Sequence, residues 1–193
     1  MVINTNTPWG VQLTIPPGPR ANASHPAGVV KRLALADGVP DAFSIIQHLQ
    51  SLVFVMAQQP LIREFTVGLI RNFRTHDDAG KIAAVVDFVR NRVRYVADPV
   101  EAEYVITPIN LLTQFASGLT PAGDCDDKVL LLCSMLASIG YKTRIVGVSQ
   151  QGHDFDHVIA GLWFEGAWRD IDPCDTVHAG NDYPVRLVVG NGV

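Results

Sequence analysis

The chain has 193 residues, 48% of them hydrophobic and 18% charged, with a formal net charge of −4. This is the composition of a globular protein with enough residues to bury a core. It excludes a disordered chain, and its acidic balance argues against a nucleic-acid partner. Three cysteines, an odd number, do not demand a disulfide framework, and Met1-Val2-Ile3-Asn4-Thr5-Asn6 lacks the basic start and apolar core of a secretory leader. The run Leu52-Val53-Phe54-Val55-Met56-Ala57 is too short to cross a bilayer, so no membrane partner is expected and the protein is placed in a bacterial cytoplasm or a host cell.

Residues 1–27 are rich in Asn, Thr and Pro around Pro16-Pro17-Gly18-Pro19, which predicts an extended arm, packed on its own domain or used in assembly. Residues 28–193 are read as one domain, with a helical part over about 41–94 and a core over about 95–193. Ile45, Ile46, Leu49, Leu52, Val53 and Met56 recur at helical spacing, and Pro60 separates them from a second stripe through Leu61, Ile62, Phe65, Leu69, Ile70 and Phe73. A third helix is predicted after a cap at Asp77 or Asp78, burying Ile82, Val85, Val86, Val89 and Val93, with Lys81, Arg90 and Arg94 on its far face. The arginines at 63, 71, 74, 90, 92 and 94 cluster; a solvated or salt-bridged face explains them better than a nucleic-acid site, and His48 and His76 read as surface or capping residues.

Asp98 to Thr107 reads as a loop closed by Thr107-Pro108, a cap with a first-turn proline ahead of a short helix through Leu111, Leu112 and Phe115. Gly123-Asp124-Cys125-Asp126-Asp127-Lys128 then runs straight into the most apolar stretch, Val129 to Ile139, predicted as a helix buried nearly all round and closed by Gly140. After it the period is that of strands: Thr143–Ser149, His157–Phe164 and Ala167–Asp172, with Glu165-Gly166 as a hairpin, and finally Val185–Val189. Helices followed by an antiparallel sheet define an α+β fold.

Cys125, at the mouth of the buried helix, is the residue that needs explaining. A helix start favours a thiolate, whereas Asp124, Asp126 and Asp127 oppose it, so an imidazolium is required to activate it. His157 opens an apolar strand where packing can fix a ring, while His153 lies in a loop. Asp170 and Asp172 both lie on one face of their strand, so alternation cannot choose between them as the residue that orients the histidine. Cys133 reads as core; Cys174 lies two residues past Asp172 and could pair with Cys125 on oxidation. A zinc site from Cys125, His153, His157, Cys174 and the aspartates lacks any established ligand spacing, so no metal or cofactor is expected.

These residues carry a resemblance. Tyr95 with Asp98-Pro99, the Gly123 to Lys128 motif, Ile139 to Arg144, His157-Val158 and Trp168 to Asp172-Pro173 fall in the order of the transglutaminase-like superfamily of papain-type thiol enzymes. The chain resembles especially the small bacterial and phage-encoded members with a Gly-Asp-Cys-Asp-Asp motif. The resemblance covers about half the chain, from Asn91 to Gly180. It implies a papain-like core and a triad of Cys125, His157 and Asp172, which selects Asp172 over Asp170. The backbone N–H of Cys125 is a natural oxyanion donor, and Gln114 is a candidate for a second, against its reading as a surface residue. The expected activity is a cysteine peptidase or amidase on a peptide or protein substrate. The alternatives are a cross-linking transglutaminase, a phage virion or tail assembly protein using the arm, and a binding module without turnover.

Overall fold

A computed structural model describes the backbone at 3–6, 12–15 and 29–30, and the chain over 39–98, 104–149, 155–174, 183, 185–189 and 192, with side chains from 42 onward. Pro16 to Pro19 and His153 lie outside the described residues. Among these residues the chain forms strands β1 (Ile3–Asn6), β2 (Gln12–Ile15) and β3 (Val29–Val30), then helices α1 (Val39–Ala57), α2 (Pro60–Ile70) and α3 (Asp78–Arg92). Short strands β4 (Arg94–Tyr95) and β5 (Val105–Ile106) lead to α4 (Pro108–Ala116), β6 (Ala122–Gly123) and α5 (Cys125–Ser138). Strands β7 (Thr143–Ser149), β8 (His157–Phe164), β9 (Ala167–Ile171) and β10 (Val185–Val188) complete the order.

The architecture is α+β: helices in the first half, with α5 packed on an antiparallel sheet of order β10-β7-β8-β9. The punctuation works as the residue types dictate. Pro60 opens α2 and Pro108 opens α4, each at a position where the missing N–H costs nothing. Asp77 caps α3 by accepting from the Gly80 N–H, whereas Thr107 stands at the cap position of α4 without using its side chain. Glu165 and Gly166 turn the β8–β9 hairpin at φ values of 51° and 77°, the handedness that matches strand twist.

Helix α5 is buried from Asp126 through Leu136, as expected of a segment with almost no polar face. Its neighbours are α1, α2, α3 and α4 on the helical side and β7 and β8 on the other. Phe65, Phe88 and Phe115, from α2, α3 and α4, meet with ring centroids 4.8–5.8 Å apart. Alternation splits the sheet: Ile145, Ala160 and Leu162 join the main core, while Val146, Val148 and Ile159 form a second cluster with Tyr183. His157 is opposite Val148 and in phase with Ile159, so it belongs to that second face.

Four short elements were not anticipated. The stretch read as a loop contains β5, which pairs with β3; β4 continues past α3 and pairs in parallel with β6. The extended arm is a hairpin over its described residues, β1 against β2, and β2 lies against α2. Two-residue strands carry no period, so only their tertiary partners define them.

Candidate active site

The site is built from the start of α5. Asp124 takes extended backbone angles and its carboxylate accepts from the N–H groups of Asp126 and Asp127, at 3.2 and 3.5 Å. Asp127 reciprocates, accepting from the Asp124 N–H at 3.3 Å, and also holds the Ile106 N–H at 2.5 Å, tying β5 to the helix mouth. This is a capping box with the acids of the motif serving the helix. Gly123 is glycine because of space: a Cβ there would lie 2.4 Å from Asp127 Oδ2 and 2.6 Å from its Cβ. The box fixes Cys125 as the first helical residue, half-buried and unpaired with any other cysteine.

Its surroundings oppose ionisation. Burial pushes the Cys125 thiol well above its ordinary range, and Asp124 and Asp126 push it further, while a hydrogen bond from the Val158 N–H works in the other direction. Burial also pushes the Asp127 carboxyl up, to about 8. The dipole of α5 therefore does not by itself yield a thiolate.

His157 Nε2 lies 2.9 Å from Asp172 Oδ2, both side chains being nearly inaccessible. Burial works to raise the Asp172 carboxyl, but bonds from His157, the Cys174 N–H and Tyr183 outweigh it and leave the group below its usual range. An ionised carboxylate only accepts, so the proton shared with Asp172 sits on Nε2. Asp170 is elsewhere: it is opposite Gly161 and pairs with Arg186. β9 ends at Ile171, one residue short of the strand expected through Asp172, so Asp170 stays in the paired strand while Asp172 lies just past it.

Cys125 and His157 line one cavity together with Asp126, Asp156 and Phe155. Gln114, on α4 and half-buried, is not among the described residues lining it. Cys133 is core, and Cys174 is buried, its thiol raised to about 12 by burial and then by Asp172. Asp124, Asp126 and Asp127 could each offer an oxygen within 4.8 Å of the others, but two of the three are committed to capping α5.

Two residues at this site escaped the sequence. Tyr183 donates its hydroxyl to Asp172 Oδ2 at 2.8 Å, with its ring 6.0 Å from that of His157. Arg90 was assigned to a solvated far face of α3; instead it is half-buried and donates Nε and Nη2 to the Asp172 carbonyl at 3.1 and 2.9 Å. Lys128, buried one turn into α5, donates to the carbonyls of Val93 and Arg90, at 2.9 and 3.4 Å. The motif's last residue therefore cements α3 to α5, and Arg90 passes that order on to Asp172. No periodic signal marks Tyr183; Arg90, in the last turn of a helix, looks in sequence like any dipole-compensating cation.

A four-stranded antiparallel sheet against a buried helix that starts at a cysteine, with a His–Asp pair at the neighbouring strand, defines an α+β class of protein. Residues 68–173, more than half of the chain, match the family model described as the transglutaminase-like superfamily, and the chain belongs to that superfamily. No curated protein matches it. Among solved structures it is similar to a candidate cysteine protease from Cytophaga hutchinsonii (16% identity, TM-score 0.48, 76% of this chain and 52% of that one). It is also similar to a candidate protease from Parabacteroides distasonis (16%, TM-score 0.48, 64% and 25%). A third is the periplasmic domain of TgpA from Pseudomonas aeruginosa bound to ethylmercury (17%, TM-score 0.43, 66% and 50%). The chain spans about half or less of the length of these proteins. Among the described residues, no helix is long and apolar enough to cross a membrane.

Proposed function

We propose that this chain is a cysteine peptidase or amidase working by thiol acyl transfer, with Cys125 as nucleophile, His157 as base and acid, and Asp172 as the residue that orients the imidazole. The observation that carries the reading is the buried 2.9 Å His157–Asp172 pair, whose histidine lines the same cavity as Cys125. The thiol, held protonated by burial and by Asp124 and Asp126, gives its proton to His157 Nδ1, and Asp172 stabilises the imidazolium that forms. Sulfur bonds to the substrate carbonyl carbon, and the negative oxygen is met by the Cys125 backbone N–H, which the Asp124 cap leaves unused. The C–N bond breaks as the imidazolium protonates the leaving amine. Water then attacks the thioester, giving its proton to His157, and the C–S bond breaks to release the acid and the thiol.

The test is intact-mass analysis after limited iodoacetamide across pH 5–8, on wild type, Cys125→Ala and His157→Ala, followed by turnover of quenched peptides with and without added amines. Rapid single labelling that is lost in Cys125→Ala and slowed at least about tenfold in His157→Ala is expected. Labelling no faster than that of a free thiol, or labelling at Cys174, overturns the reading and leaves a scaffold that carries the same residues. Amine incorporation in place of hydrolysis makes the protein a cross-linking enzyme.

A further inference from the structure

The cavity shared by Cys125 and His157 has a volume of about 260 Å³. Among the described residues most of its wall is apolar: Ala42, Ile45 and Ile46 from α1, Gly147 from β7, then Phe155 and Val158. A Cβ on Gly147 would come within 2.5 Å of Ile46 Cδ1, so the absent side chain at 147 is what makes room for α1 to close this wall. The three α1 residues precede residues 68–173, the span matched by the family model.

We infer that this cavity is a subsite for an uncharged apolar side chain, branched aliphatic or aromatic, on the acyl part of a peptide substrate, and that α1 sets the preference. The inference rests on the proposed acyl-transfer reading, because it takes the cavity to adjoin the reacting carbonyl. Continuity with Cys125 and His157 places an occupant next to the sulfur, and the apolar walls favour a side chain that gives up no hydrogen bonds to water on entry. Asp126 and Asp156 line the same cavity, each already engaged in an interaction of its own. They repel a carboxylate, while an ammonium would give up its water to walls that are mostly hydrocarbon. Selection is therefore left to the hydrocarbon side.

The experiment uses the full chain carrying Cys125→Ala and measures binding of the N-acetyl methylamides of leucine, phenylalanine, glutamate and lysine by NMR titration. The leucine and phenylalanine compounds should bind about tenfold or more tightly than the other two. Adding Ala42→Leu, which fills the cavity, should cut their binding about tenfold at an unchanged thermal midpoint; Ile45→Ala, which enlarges it, should move the preference from leucine towards phenylalanine. Glutamate or lysine compounds binding as tightly, or selectivity that neither variant moves, overturns the inference. Because the readout needs no nucleophile, selective binding without turnover in the wild type counts against the acyl-transfer reading alone. Turnover without selectivity counts against the subsite alone.

Discussion

Asp172 carries three donors on one carboxylate: His157 and Tyr183 on Oδ2 and the Cys174 N–H on Oδ1. Its depressed pKa makes it a source of stability that is present above the unfolded-state value, about 3.9, and lost as pH falls through the lower folded value. Tyr183→Phe keeps the ring beside His157 and removes one donor, so the Asp172 pKa should rise and that stability should be lost at a higher pH. The variant should be about 1–2 kcal/mol less stable at neutral pH, read by denaturant titration, with the pKa read from the carboxyl carbon by NMR. An unmoved Asp172 titration would show that the hydroxyl contributes nothing to the ionised state. If Asp172 orients His157 as proposed, the acid limb of Cys125 labelling moves up in the same variant.

At the scale of elements, the start of α5 performs two tasks with the same residues. Asp124 accepts from the N–H groups of Asp126 and Asp127, and Asp127 holds the Asp124 N–H and β5, yet Asp124 also raises the thiol it positions. Asp124 thus stabilises the helix while opposing the reactive form of its first residue, and in the proposed mechanism the His157 imidazolium reconciles the two. Gly123→Ala forces a Cβ into Asp127 and should break the reciprocal cap, costing about 2 kcal/mol or more. Chemical denaturation checks this; a variant within about 0.5 kcal/mol of wild type would mean that the box relaxes without loss.

The whole molecule joins its helical half to the sheet through more than apolar contact. Residues of α1, α2, α3, α4, α5, β7 and β8 share one core, and the Gln50 side chain of α1 accepts the Ile145 N–H of β7 at 2.9 Å, where β10 no longer covers that edge. Gln50→Leu strands that N–H and should cost about 1–3 kcal/mol. Its unfolding should remain a single transition by both tryptophan fluorescence and far-ultraviolet circular dichroism, since α1 has no core of its own. Two separated transitions would instead make α1 an independently melting element.

What the sequence determined by itself was whatever depends on neighbours along the chain. The three-four spacing of Ile45 to Met56, the prolines at 60 and 108, the Glu165-Gly166 turn and the apolar run after Cys125 fixed the elements, because each rests on local geometry and on one face meeting a core. The order of the Gly-Asp-Cys-Asp-Asp motif, His157 and Asp172 was legible through the family resemblance, not through local geometry. The tertiary structure decided where the two aspartates that alternation left open end up: β9 ends at Ile171, Asp170 pairs with Arg186, and Asp172, the one the resemblance selects, meets His157. It also decided that Arg90 turns inward to a carbonyl 82 residues away, that Tyr183 completes the carboxylate's donors, and that α1 walls the cavity beside Cys125. Those contacts join residues with no spacing in common, and a linear pattern holds no record of which distant groups a packed fold brings within hydrogen-bond reach.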